Sequence, residues 1–169
     1  MGSYMIEVLI TPHMVEKAKK KATELGKLKN SITEGEGNLA GFLGEYVAES
    51  VVNGKIKNTK HYDIVLDDDT TVDVKTKRCT SEPKPHYSCS IAAYNPMQKC
   101  DKYIFVRVMK DLSKAWVLGE LGKNEYFEKA HFMQKGDFDP SNGFTCKANC
   151  YQVTIENLNE VKSFDSDMV

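Results

Sequence analysis

The sequence predicts an α/β domain: a central mixed β-sheet flanked by helices. Two observations predict it. Two early stretches, 12–25 and 38–52, have helical composition, the second with apolar residues at helical spacing. The period then changes to short β-branched and aromatic runs separated by turn residues, with one more helical stretch set between them.

Taken in order, 12–25 reads as a helix, and its Lys17, Lys19, Lys20 and Lys21 as a solvated face. The polar, glycine-containing 27–37 reads as a loop. Asn38 can cap a helix over 38–52 that buries Leu39, Phe42, Leu43, Tyr46 and Val47, and Asn53-Gly54 ends it. Strands are expected over 62–66 and 70–77, joined by a turn at Asp67-Asp68-Asp69. A loop with Pro83 and Pro85 leads to a third strand over 86–93, and Asn95-Pro96 to a helical turn ending near Cys100. The apolar run 103–108 is the clearest strand, and 115–120 pairs with it. A helix over 124–131, a turn-rich loop over 136–148 and a strand over 151–155 complete the chain.

All 169 residues are expected in one domain, with residues 1–4 a vector-derived leader and Met5 the native start. No apolar run approaches the ~18 residues of a bilayer span, and the opening segment carries Glu7 and meets Pro12, unlike a signal peptide. Five cysteines without a secretory signal read as reduced thiols in a cytoplasmic compartment. The 23 basic and 24 acidic side chains nearly cancel, so this is not a protein held on nucleic acid by bulk charge. Residues 1–110 nevertheless carry 17 basic against 14 acidic groups, and the rest 6 against 10. A local basic field can therefore act within a Debye length of about 10 Å.

The chemistry concentrates in Val72-Asp73-Val74-Lys75-Thr76. Alternation places Asp73 and Lys75 on one face of the strand and Val72 and Val74 on the other. A carboxylate and an ammonium there are costly to bury unpaired. A tight hairpin at 67–69 returns Asp63 close to Asp73, and the preceding helix carries Glu45, with Glu49 one turn on along the same face. Three carboxylates near one point repel unless a cation joins them, and hard oxygen ligands suit Mg²⁺ or Mn²⁺. A lysine beside them can orient a water or hold a phosphate oxygen. Together these residues point to metal-assisted attack on a phosphodiester.

The segments Gly41-Phe42-Leu43-Gly44-Glu45, Tyr62-Asp63-Ile64 and Asp73-Val74-Lys75-Thr76 resemble the PD-(D/E)xK, restriction-endonuclease-like nucleases. The resemblance spans roughly residues 38–130 and includes the order helix, three strands, helix, strand. It implies a restriction-endonuclease-like core in which Asp63 is the first acid of the motif, Asp73 the second and Lys75 the lysine. Glu45 takes the place of the glutamate on the first core helix. Glu45, Asp63, Asp73 and the Val74 carbonyl would hold the metal, and Lys75 would position the attacking water. The proline that often precedes the first acid is Tyr62 here. Glu49 is a candidate second ligand, and Thr76 and Lys77, with Arg78, are candidate phosphate contacts. Some exonuclease branches carry Gln-x-x-x-Tyr on the second core helix. Gln98 with Lys102 and Tyr103 matches it incompletely, and Asn95 lies on the same stretch.

Other readings fail on spacing. EF-hand loops starting at Asp67 or Asp137 would place Val72 or Asn142 where glycine is needed, and Arg78 or Ala148 where glutamate is needed. Cys146-x-x-x-Cys150 lacks the second pair of a zinc site. Cys79, Cys89 and Cys100 are scattered, unlike the four cysteines of an iron–sulfur nuclease. His86 has no required part. The expected activity is Mg²⁺- or Mn²⁺-dependent hydrolysis of DNA by an endo- or exonuclease of phage or restriction/repair type. It would act in the cytoplasm (the host's, if viral) on nucleic acid, away from membranes, with a homo-oligomer as a candidate assembly. An RNA-directed nuclease and a catalytically silent nucleic-acid-binding or assembly module are the alternatives.

Overall fold

The computed structural model describes residues 5–29, 36–59, 61–93, 99–140 and 143–162. Along the chain lie β1 (Ile6–Leu9), α1 (Pro12–Lys29), α2 (Glu36–Val51), β2 (Gly54–Ile56), β3 (Ile64–Leu66), β4 (Thr71–Cys79) and β5 (Ser88–Ala92). Then follow β6 (Lys102–Met109), β7 (Lys114–Gly122), α3 (Lys123–Lys129), β8 (His131–Met133), the small hairpin β9 (Phe138–Asp139) and β10 (Phe144–Thr145), β11 (Cys150–Thr154) and a 3₁₀ turn over Ile155–Asn157. Six strands form one mixed sheet in the order β1-β7-β6-β4-β3-β2. Its only parallel neighbours among the described strands are β4 and β6, and every other pair is antiparallel. A second antiparallel sheet has the order β5-β11-β8. The fold is thus mixed α/β.

β6 explains where the core sits. Its residues Tyr103 to Val108 are all buried, as expected of a strand covered on both faces. On one face, Ile104, Val106 and Val108 join Val72 of β4 and Val117 of β7 under Ala18 of α1 and Leu43, Val47 and Ala48 of α2. On the other, Tyr103 and Phe105 join Trp116 and Leu118 of β7, Tyr126 of α3, and Ile91 and Val153 of the second sheet. The Tyr126 hydroxyl ties these parts together, donating to the carbonyls of Cys89 at 2.7 Å and Tyr151 at 3.1 Å. The register of β6 on β7 shifts beside Gly119, whose φ of +154° is a conformation that favours glycine.

The structure departs from the sequence reading in several elements. β1, β2 and β8 are strands where none is expected, and His131, expected to end a helix, opens β8. β1 pairs with β7 at the sheet edge, and β2 is three residues long, too short to show a period. Both ends of the loop expected over 27–37 are helical, since α1 runs to Lys29 and α2 starts at Glu36; residues 30–35 lie outside the described residues. The expected third strand forms as β5, but it pairs with β11 over five residues and leaves the main sheet. The antiparallel trio following α2 is instead β2-β3-β4. Of the helical turn expected over 95–100, residues 94–98 lie outside the described residues, and Lys99 and Cys100 are not helical.

Candidate active site

The site begins where β3 stops pairing with β4. The two strands pair at Ile64 with Val72 and at Val65 with Thr71, and the Asp63 N–H adds one bond to the Val72 carbonyl at 2.8 Å. Before Ile64 the chain turns back. The N–H groups of Lys57 and Asn58 both donate to the Asp63 carbonyl, at 2.7 and 3.2 Å. Asn58 adopts the left-handed φ of 48° that asparagine tolerates better than most residues. The Asp63 side chain then continues the ladder in place of backbone, its Oδ2 accepting the Val74 N–H at 2.8 Å. In an extended strand a residue's N–H and C=O point to the same edge. The Val74 carbonyl therefore faces the same open edge as the Asp63 carboxylate.

β4 supplies the next two groups. Asp73 and Lys75 share the face of Tyr103 and Phe105, their register partners in β6, while Val72 and Val74 pack with the helices. Asp73 is 6% exposed, and the Lys75 Nζ lies 2.9 Å from its Oδ2. Lys75 also stands 5.8 Å from the centre of the Tyr103 ring.

α2 supplies the fourth. A Cβ on Gly44 would fall 1.9 Å from Thr76 Oγ1, so only glycine lets the helix lie this close to β4. The close approach carries Glu45, 7% exposed, to the edge where Asp63 sits. The Asn58 amide donates to Glu45 Oε1 at 2.5 Å, and Lys21 of α1 reaches the same oxygen at 3.4 Å. Lys21 also donates to the Asn58 Oδ1. It lies 4.9 Å from the centre of the Phe42 ring, close enough for a cation–π contact.

Electrostatics couple the three acids. Burial, with Asp73 and then Glu45 adding repulsion, raises the Asp63 carboxyl from 3.8 to about 8, against the pull of the Val74 N–H. Burial likewise raises Glu45, with Asn58 and Lys21 opposing and Asp73 reinforcing. Burial therefore disfavours the charged forms of Asp63 and Glu45. As they stand, no three His, Cys, Asp or Glu side chains among the described residues form a ready metal cage. Ammonium groups hold two of the acids instead: Lys75 at Asp73 and Lys21 at Glu45.

The sequence-selected residues therefore divide. Glu45, Asp63, Asp73, Lys75 and the Val74 backbone meet at one edge. The Glu49 Oε2 accepts the Ile56 N–H at 3.0 Å and fastens α2 to β2. Thr76 turns under Gly44 of α2, and Lys77 continues the Asp73/Lys75 face. Gln98 and Asn95 lie outside the described residues. His86 is exposed, with its ring edge-on to Tyr87. Cys146 and Cys150 hold their sulfurs 3.7 Å apart in the turn-rich region.

Sequence reasoning missed Lys21, Asn58 and Arg107. Lys21 was indistinguishable from its solvated neighbours. Arg107 had a signal: it is a charge inside the apolar run of β6 and is 8% exposed. No protein-family model matches the chain, and no curated protein is significantly similar to it in sequence. Among the described residues no helix is long and apolar enough to cross a membrane.

Proposed function

We propose that the chain is a divalent-metal-dependent nuclease of the PD-(D/E)xK type that hydrolyses phosphodiester bonds, DNA being the favoured substrate. One observation carries the reading. An acid at the end of β3, an acid and a lysine two residues apart on β4, and a glutamate from α2 meet where the β4 edge opens. The path supports it as well, since α2 is followed by the antiparallel trio β2-β3-β4 and then by β6 parallel to β4. A restriction-endonuclease-like core would also place a helix between β4 and β6, a stretch that here contains β5 and the undescribed residues 94–98.

The donor set fits a hard cation. Asp63 and Glu45 hold their protons more tightly than free acids, the Asp73 charge adding to both, and a divalent ion would relieve that repulsion. Glu45, Asp63, Asp73 and the Val74 carbonyl would hold it. Bound there, Mg²⁺ or Mn²⁺ supplies Lewis acidity toward the scissile phosphate. Asp63, fixed by the Val74 N–H, keeps one donor in place whatever the other two acids do. Lys75, 2.9 Å from Asp73, would position the attacking water and a phosphate oxygen through its N–H groups. Lys21 and Asn58 steady Glu45 from the helix side.

A second reading has one observation in its favour: with Lys75 and Lys21 already holding two of the acids, the cluster can persist as a silent binding module. The test is to incubate the protein with supercoiled plasmid, linear single- and double-stranded DNA, and RNA, each with Mg²⁺, Mn²⁺ or EDTA. Metal-dependent cutting that falls by about 10² or more in Lys75→Ala supports the nuclease. Binding without cutting in every lane supports the silent module, and cutting confined to RNA moves the substrate assignment.

A further inference from the structure

On the face of β4 that carries Asp73 and Lys75, the next side chain is Lys77, and its register partner in the parallel β6 is Arg107. The Arg107 guanidinium donates to the Ser88 carbonyl at 3.0 Å and lies 5.1 Å from the centre of the Tyr87 ring. Both contacts fix its position, and neither partner is an acid. A hollow of about 240 Å³ opens between β4, β6 and β5, its polar wall formed by Lys75, Lys77, Arg107, Ser88 and Ser90. Arg107 also lines a second hollow of about 270 Å³, with Arg78 and Lys110. No acidic side chain lines either one among the described residues.

Lys77 and Arg107 in one wall give the hollow a positive field that suits an anion. Partial desolvation, and after it the Arg107 charge, hold the Lys77 ammonium below the usual lysine range. A guanidinium fork beside an ammonium and serine hydroxyls matches the oxygens of a phosphate group. The step from Lys75 to Lys77 is about 6.6 Å along the strand, comparable to one phosphate-to-phosphate step of an extended nucleic-acid chain.

We propose that the hollow at Arg107 is a phosphate subsite: it holds the phosphodiester next to the one presented to Lys75, with Arg107 and Lys77 as its donors. The proposal rests on the nuclease reading for its substrate, and it adds Arg107 and Ser88, which that reading does not use. It places the substrate strand over the seam between the main sheet and β5.

Binding without metal separates this proposal from the catalytic one. A fluorescein-labelled single-stranded DNA oligonucleotide is titrated with the full chain in EDTA at several salt concentrations, and anisotropy is read. Lys77→Gln and Arg107→Lys should each weaken binding roughly five- to tenfold at low salt and flatten the salt dependence by about 0.7 in log–log slope. Lys55→Gln, an exposed lysine on β2, should bind as wild type. Arg107 is buried, so circular dichroism checks its variant, and the exposed Lys77→Gln decides the matter alone if Arg107→Lys unfolds. Wild-type affinity and slope in Lys77→Gln would overturn the proposal, as would absence of salt-dependent binding by the wild type. Should the cleavage assay fail while Lys77→Gln still loses affinity, the subsite stands and the nuclease reading falls.

Discussion

Replacing Asp63 with asparagine removes a charge from the carboxylate cluster while keeping its shape. The amide retains an oxygen for the Val74 N–H, which Asp63 accepts at 2.8 Å. The wild-type carboxyl rises from 3.8 to about 8, and at about 1.36 kcal/mol per unit this sets a ceiling of about 6 kcal/mol. Water at the open edge, and the coupling of Asp63 to its neighbours, reduce the expected effect to about 1–3 kcal/mol. A carboxyl that holds its proton more tightly when folded makes stability fall with rising pH, between its unfolded value of 3.8 and its folded value of about 8. In EDTA, Asp63→Asn should therefore match wild type near pH 4 and exceed it at about pH 8 and above, with a Tm higher by about 2–4 °C per kcal/mol. Mg²⁺ should reverse the order. At a hundredfold excess over its dissociation constant it stabilises the protein that binds it by about 2.7 kcal/mol, and the variant lacks one carboxylate donor. Thermal unfolding followed by circular dichroism across this pH range, with and without Mg²⁺, reads both effects. A variant no more stable than wild type at pH 8 in EDTA would refute the electrostatic reasoning.

Three further outcomes follow from particular contacts. Gly44→Ala drives a methyl to within 1.9 Å of Thr76 Oγ1, so urea unfolding should show a loss of about 1–3 kcal/mol, partly recovered in the double variant with Thr76→Ala. Glu49→Gln keeps an acceptor for the Ile56 N–H and should change the cleavage rate by less than about tenfold, or about 1.4 kcal/mol of barrier; a larger loss would place Glu49 among the metal ligands. Tyr126→Phe removes the hydroxyl that bonds the Cys89 and Tyr151 carbonyls. It should cost about 1–2 kcal/mol in denaturant unfolding, without changing DNA binding in EDTA.

Period-two patterning made much of the site legible. Alternation alone placed Asp73 and Lys75 together on β4, and the turn at Asp67-Asp68-Asp69 returned Asp63 toward them. β6 was legible because a strand buried on both faces reads as an unbroken apolar run. β2 was not: three residues beginning with glycine carry no period, and pairing with β3 is what makes them a strand. The sequence of β5 showed a strand but not its partner. Its Cys89 and Ile91 face the Tyr103 and Phe105 core from outside the main sheet, a choice made by β11, which lies far downstream along the chain.

The parts that escaped prediction depend on tertiary approach. Lys21 and Asn58 meet Glu45 only because Gly44 lets α2 lie against Thr76 and because the chain reverses at Asn58. Glu49 has a contact that helical spacing does not reveal. Helical spacing put it on the same face as Glu45, yet a backbone N–H of an unforeseen strand claims its carboxylate. Arg107 is a local inconsistency, one charge in an otherwise apolar buried strand, and such inconsistencies gather at functional or strained positions.

The most direct measurement is a cleavage time course on one labelled DNA strand, comparing wild type with Asp73→Asn in Mn²⁺ before and after EDTA. The account predicts cutting by the wild type that stops on chelation, and none above background by a folded Asp73→Asn protein. An Asp73→Asn protein that cuts at the wild-type rate, or wild-type cutting that continues in EDTA, would contradict it.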